Sequence, residues 1–318
     1  MNQSRIIGSL VAIAAIVGVA SAQEPKATAK RAQYPPRLDG AKAEVYKIVG
    51  DVKLKLYIYE PPGHKATDKS PAIVFFFGGG WTNGTPQQFE QQCRYLASRG
   101  IVSMTADYRV ASRHQVKAVD CVRDAKSAVR WVRANAARLG IDPDRIAAGG
   151  GSAGGHIAAC TATIAEFDEP SENQSISSKP NALVLFNPAA ALASYEGASD
   201  AARRQVESSQ IVERAGIDPK SISPAHHVTP GLPPTIMFFG TDDTLLGGAE
   251  YLARRAKEAG GRCELVTYPG EQHGFFNFGR GGNRAFLDTL RRSDEFLASL
   301  GWLSGQPTVD RFDWKADR

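Results

Sequence analysis

Five residues, Gly150-Gly151-Ser152-Ala153-Gly154, constrain this chain more than any other stretch. They follow the apolar Ile146-Ala147-Ala148 and precede Gly155-His156-Ile157-Ala158-Ala159, which reads as helix. The order calls for a buried strand, a tight turn with room only for small residues, and then a helix. In such a turn the serine takes a strained backbone conformation that only small neighbours permit. The strain presents its hydroxyl at the end of a sheet, beside the N–H groups of a helix N-terminus. Ser152 is therefore a candidate nucleophile. Taken alone, the run also fits an ordinary small-residue loop, so the reading depends on partners elsewhere in the chain.

The surrounding pattern is α/β. Val45 to Glu60 holds two alternating apolar runs around Gly50-Asp51, which suggests an antiparallel hairpin at a sheet edge. Strands and helices then alternate. Ile73–Phe77 is followed by a helix near Pro86–Ser98, Ile101–Ala106 by a helix near Asp120–Leu139, and Arg145–Ala148 by a helix from Ala153. Leu183–Phe186 is the next strand. This alternation predicts a mostly parallel central sheet with helices on both faces. Residues 43–303 form the domain, and 188–234 read as a small cap-like insertion, with a polar helical segment near Ala201 to Ala215 and a Pro-rich return. The competing reading of that insertion is a surface excursion without substrate contact. Glu166 to Lys179 is an acidic loop. In the tail, 304–318, Phe312 and Trp314 are expected to dock on the body, as is Trp302 before it.

Pro71-Ala72-Ile73-Val74-Phe75-Phe76-Phe77 is continuously apolar, as a strand buried on both faces must be. It runs into Gly78-Gly79-Gly80-Trp81, where glycines let backbone N–H groups approach a ligand closely. The amides of Gly79, Gly80 and Ala153 are the candidate oxyanion donors. No Gly-Lys-Ser/Thr follows, so a phosphate-binding P-loop is unsupported. Trp81 is a candidate for the wall of a substrate pocket, or alternatively a core residue.

A base and an acid appear downstream in the order Ser, Asp, His. Pro234 to Gly240 reads as a buried strand leading into Thr241-Asp242-Asp243-Thr244-Leu245, with carboxylates at its C-terminal end, where α/β sites gather. An amphipathic helix from about Gly248 to Glu258 and a last strand, Cys263 to Tyr268, follow, and His273 lies just beyond. Of the six histidines, His64 falls in an early surface loop, His114 beside a basic stretch, and His156 inside the helix after Ser152. His226 and His227 precede the Pro-rich connection. His273 alone follows the final strand, where it can accept the Ser152 proton and donate to a carboxylate. Position along the chain does not choose between Asp242 and Asp243.

With these residues the chain resembles the α/β-hydrolases of the hormone-sensitive-lipase-like carboxylesterase group, and is similar to bacterial acetyl-xylan and feruloyl esterase-type enzymes. The likeness rests on Gly78-Gly79-Gly80-Trp81, Asp107-Tyr108-Arg109, Gly150 to Gly155, Gly240-Thr241-Asp242-Asp243-Thr244-Leu245 and His273-Gly274-Phe275, from about residue 43 to 300. The resemblance implies a Gly-Thr-x-Asp-x-Leu acid at Asp243 and oxyanion donors at Gly79, Gly80 and Ala153. It implies a serine carboxylic ester hydrolase working through an acyl-enzyme, without metal or cofactor, on acetyl, other short acyl or feruloyl esters, including acylated polysaccharide. Two positions depart from the family. Its usual His before the glycines is Phe77 here, so another group must brace the loop. Its frequent Asp before the nucleophile is Gly151. Asp107 and Arg109 read as a structural turn. The rival readings are a peptidase or amidase using the same triad, and a non-catalytic binding protein on this fold.

Met1 to Ala22 reads as a cleavable secretory signal, with Arg5, an apolar stretch from Ile6 to Ala20, and an Ala20-Ser21-Ala22 cleavage site. The expectation is a secreted or periplasmic protein with no integral membrane association after cleavage, starting in a flexible lead at 23–42. Four cysteines, Cys93, Cys121, Cys160 and Cys263, are expected as buried free thiols, with Cys93 and Cys121 the first pair to test for a disulfide. The net charge of +5, from 38 basic and 33 acidic residues, is spread along the chain. With no basic block carrying interleaved aromatics, nucleic acid is not an expected partner.

Overall fold

A computed structural model of the chain describes residues 34–314. The leader, its cleavage position and most of the flexible lead lie outside the described residues. Eight strands form one sheet: β1 (Lys42–Val49), β2 (Val52–Tyr59), β3 (Ser70–Phe76), β4 (Val102–Ala106), β5 (Ile141–Gly151), β6 (Ala182–Phe186), β7 (Thr235–Gly240) and β8 (Cys263–Tyr268). Their spatial order is β1-β2-β4-β3-β5-β6-β7-β8. The hairpin β1–β2 is antiparallel, β2 pairs antiparallel with β4, and every later pairing is parallel.

Period-2 alternation along buried strands builds a core on each face. In β3, Ala72, Val74 and Phe76 point into one core, and Ile73 and Phe75 into the other. The first core is covered by α3 (Ala118–Ala134), α4 (Ala153–Thr163) and α7 (Leu246–Glu258). The second is covered by α1 (Glu90–Ser98) and α8 (Arg284–Ser299). A single-turn helix, α2 (Ala111–His114), lies between β4 and α3.

Several boundaries differ from expectation for local reasons. The end of the supposed flexible lead is packed: Leu38 is buried, and the Pro36 carbonyl accepts the Tyr57 hydroxyl at 2.9 Å. The helical segment near Ala201 to Ala215 is two helices, α5 (Asp200–Val206) and α6 (Ser209–Ala215). The Ser208 hydroxyl accepts the Ile211 amide and so starts a new helix at that point. The helix expected through Leu139 ends as α3 at Ala134, with Asn135 outside helical geometry. The acidic loop after α4 is pinned from beneath. Lys126 Nζ donates to the carbonyls of Ile164, Ala165 and Glu166 at 2.8, 3.0 and 2.6 Å, and Arg130 reaches Asp168 and Glu172.

The tail docks on the body. Tyr95 donates to Asp294 and accepts the Thr308 amide, and its ring packs against Phe312 and Trp314. All four cysteines are free thiols; three are buried and Cys263 is half-buried. No helix among the described residues is long and apolar enough to cross a membrane.

Candidate active site

β5 delivers Ser152 in the conformation its sequence demands. Its φ of 53° and ψ of −120° lie outside the ordinary regions for a residue with a side chain. The turn is anchored where it bends: the Ser152 amide donates to the Phe186 carbonyl at 2.9 Å, and the Ser152 carbonyl accepts the His156 and Ala189 amides. α4 then begins at Ala153, so the first amides of that helix face the same cleft as the hydroxyl.

The bond chain expected of a triad is present. His273 Nε2 lies 2.9 Å from Ser152 Oγ, and His273 Nδ1 lies 2.7 Å from Asp243 Oδ2. The Asp243 side chain is 1% exposed, while Asp242 is solvent-exposed, which separates two carboxylates that are adjacent in sequence. A second Asp243 oxygen accepts the Leu245 amide at 3.0 Å, so this carboxylate is held at both ends. The other histidines bond to backbone groups. His64, expected in a surface loop, is tucked in and donates to the Leu139 carbonyl; His114 accepts the Val110 amide. His156, His226 and His227 donate to Ile222, Ser194 and Lys220 carbonyls.

Sequence reasoning missed Asn187, at the end of β6. It is fully buried with a φ of +36°. Its Oδ1 accepts the Gly274 amide at 3.1 Å, and its Nδ2 stands 3.4 Å from His273 Nε2. This side chain ties the imidazole-bearing loop to the sheet. An Asn directly after a buried strand and before Pro188 is a turn signal, but nothing in one dimension links it to residue 273.

The glycine loop lies against the elbow. A methyl group on Gly78 would come within 3.3 Å of Ser152 Cβ and 3.0 Å of the Gly151 carbonyl. The Gly78 amide is already donated to Gln88 Oε1 at 2.6 Å, whereas those of Gly79 and Gly80 have no protein acceptor among the described residues. The bracing that Phe77 cannot supply as a histidine would comes from four neighbours. Tyr108 donates its hydroxyl to the Phe77 carbonyl at 2.6 Å and stacks on the Phe77 ring at 4.1 Å. Gln88 reaches on to Asn277, and the Gly79 carbonyl accepts the Thr82 and Asn83 amides. Gly79 has a φ of +123°, and a methyl group there would sit 2.3 Å from the Asn83 carbonyl. Gly79→Ala must therefore move the loop. The expected cost is a fall in kcat of about a hundred- to a thousandfold, the usual consequence of losing one oxyanion donor, read by steady-state kinetics on p-nitrophenyl acetate.

Trp81, the candidate pocket wall, is instead a buried support beneath the loop. It is 6% exposed, and its Nε1 donates to His156 Nδ1 at 3.1 Å. The insertion reaches the same place. Arg214 on α6 places a guanidinium nitrogen 3.2 Å from where a Gly80 methyl would stand, and Ile222 accepts His156 Nε2 at 2.6 Å. With Nδ1 accepting and Nε2 donating, His156 is a fixed neutral imidazole.

Burial pulls the His156 pKa down from 6.5 to about 4. A depressed pKa in the folded state means that the unfolded chain binds the extra proton between these values. The stability is full above pH 6.5 and falls as pH drops toward 4, by up to about 3 kcal/mol. Thermal melts at pH 7.5 and 4.5 should show this loss, and His156→Gln should shrink the difference.

Gly151, where the family frequently carries Asp, is explained by Phe276. A methyl group on Gly151 would lie 2.4 Å from the Phe276 ring, which occupies the space such a side chain would need.

Comparison with known proteins agrees with this geometry. A family model described as the alpha/beta hydrolase fold matches residues 73–277. Carboxylesterase NlhH of Mycobacterium tuberculosis is 29% identical over 245 residues, covering 72% of this chain and 73% of its own. Thermogutta terrifontis esterase 2, a thermophilic planctomycete esterase, is 53% identical in its native form, covering 86% of this chain and 97% of that one, with a TM-score of 0.80. The same esterase phosphonylated by sarin matches with a TM-score of 0.82, at 53% identity over 86% of this chain and all of that one. Five motifs in order, a serine bonded to a histidine bonded to a buried carboxylate, and these relatives lead to one assignment: the chain belongs to the α/β-hydrolase family, in its hormone-sensitive-lipase-like carboxylesterase group.

Proposed function

We propose that this carboxylesterase cleaves short-acyl esters, acetyl esters first among them, through an acyl-enzyme on Ser152. The observation that carries the reading is the unbroken chain from Ser152 Oγ through His273 to Asp243, beside amides without protein acceptors. Ser152 Oγ attacks the ester carbonyl carbon as its proton passes to His273 Nε2. Asp243 holds Nδ1–H and balances the imidazolium charge. The carbonyl oxygen becomes an oxyanion held by the amides of Gly79, Gly80 and Ala153. As the carbon–alcohol oxygen bond breaks, His273 gives its proton to the leaving oxygen. Water then attacks the acyl carbon, losing a proton to Nε2; the carbon–Oγ bond breaks, and that proton returns to Oγ.

Short acyl groups are supported by the Thermogutta esterase, which has been solved with propionate bound and with butyrate bound. The leader at Met1 to Ala22 supports export as part of the same proposal. Turnover of p-nitrophenyl esters of rising chain length tests the acyl side. The expected result is a peak of kcat/KM at two to four carbons, a range of roughly tenfold differences per step. A maximum at long chains, or faster turnover of feruloyl esters than acetyl esters, overturns the short-acyl reading.

A further inference from the structure

Helix α6 carries a charge where its periodicity calls for an apolar residue. Ile211 packs against the core and Ala215 is buried; Arg214, on the same inward stripe, is half-buried. The helix is fixed at both ends. The Ser208 hydroxyl accepts the Ile211 amide, and Gly216 closes the last turn against the Lys117 side chain at the start of α3. The inward stripe meets the glycine loop. A guanidinium nitrogen of Arg214 stands 3.2 Å from where a methyl group on Gly80 would be, and beyond Gly80's own chain neighbours no other described atom comes within 4 Å of that point. This guanidinium makes no hydrogen bond and no ion pair with any described residue. Glu213, the carboxylate beside it in sequence, is turned instead to Lys117, at 3.9 Å. We propose that Arg214 binds a carboxylate on the acyl half of the substrate, so that the ester hydrolysed is a monoester of a short dicarboxylic acid. The inference deepens the short-acyl reading and rests on it.

The two faces of the sheet decide which half of the ester meets Arg214. The leaving oxygen must take its proton from His273 Nε2, so the alcohol lies toward the loop that carries His273. Phe275 and Phe276 of that loop pack into the core beneath α1 and α8, and Asn277 is bonded to Gln88 on the same side. The insertion comes from the opposite face. Ala215 and Ile222 belong to the core beneath α3 and α4, and Ile222 accepts His156, which in turn accepts Trp81 under the glycine loop. With the alcohol on the first side, the acyl chain extends to the second.

The chemistry of the guanidinium decides what that chain carries. It offers five donors in a plane and no acceptor. An alkyl chain laid against it would strip its water and return nothing. A carboxylate answers it with two oxygens in matching geometry, the strong form of charged hydrogen bond. Reach sets the length. An oxyanion about 2.9 Å from the Gly80 amide nitrogen stands no more than about 9 Å from the guanidinium. Once the hydrogen bond to the carboxylate is allowed for, two or three methylene groups between the carboxyl carbons span the gap.

The experiment compares wild type with Arg214→Met on monoethyl succinate and on its neutral isostere ethyl succinamate, followed by ethanol release. Wild type is expected to favour the charged ester, and the ratio of the two kcat/KM values should fall about tenfold or more in the variant, chiefly through KM. Binding of monoethyl succinate to Ser152→Ala, measured by calorimetry and lost on adding Arg214→Met, is the accompanying readout that needs no turnover. Melting temperatures of wild type and variant should agree within a few degrees, since Arg214 bonds to no described residue. A wild type indifferent to the charge, a variant that loses equally on both esters, or binding that survives the substitution overturns the proposal. Failure of wild type to cleave p-nitrophenyl acetate would strike instead at the esterase reading beneath it.

Discussion

Ser152→Ala is expected to lower kcat on p-nitrophenyl acetate by about a millionfold while leaving the melting temperature within a few degrees of wild type. The size follows from the mechanism: without Oγ no acyl-enzyme forms, and what remains is the help that bound amides give to water. The fold should survive because Ser152 is held by its backbone, through Phe186, His156 and Ala189, and its hydroxyl bonds only to His273 among the described residues. A fluorophosphonate probe gives an independent measurement. It should label wild type once, at Ser152, and leave the variant unlabelled. Labelling at another residue, or turnover that persists in the variant, removes Ser152 from the chemistry.

Asp243→Asn should cost about ten-thousandfold in kcat, whereas Asp242→Asn should leave it within about twofold. The amide at 243 can present N–H where a carboxylate oxygen now accepts, turning the imidazole into the tautomer whose Nε2 carries the proton and cannot take another from Ser152. Asp242 is exposed, and its carboxylate accepts the hydroxyl of its neighbour Thr241 at 3.4 Å and has no contact with His273 among the described residues. Steady-state kinetics on both variants separate two residues that the Gly-Thr-Asp-Asp-Thr-Leu run leaves side by side. Comparable losses at both positions would mean that the acid acts through a different geometry.

Much of this site was readable in one dimension because each of its reacting groups sits just past the C-terminal end of a parallel strand. A buried strand announces itself as an apolar run, and the residues beyond it are then obvious candidates: Gly78–Gly80 after β3, Ser152 after β5, Asp243 after β7, His273 after β8. The supports were not readable. Tyr108 reaches Phe77 across 31 residues, Gln88 reaches Asn277 across 189, and Asn187 reaches His273 across 86. Such pairings depend on which strands become neighbours, and no local periodicity encodes that. Trp81 stayed open between pocket wall and core for a related reason. An aromatic residue at a glycine loop fits a pocket wall equally well until the partner of its indole nitrogen, here His156, is known. Leu38 shows the converse: a single apolar residue in a polar lead has no periodicity to reveal it, yet it is buried.

The ring of Phe276 sits three residues beyond His273 and presses on the backbone just ahead of Ser152. Two loops that must trade a proton are thus spaced by a hard aromatic bearing as well as by hydrogen bonds. Steric contact of this kind has no charge to screen and no proton to lose, so the alignment of donor and acceptor is insulated from the ionic surroundings of the molecule. That mechanical spacing would keep the reacting pair in register through changes of salt that loosen a polar strut.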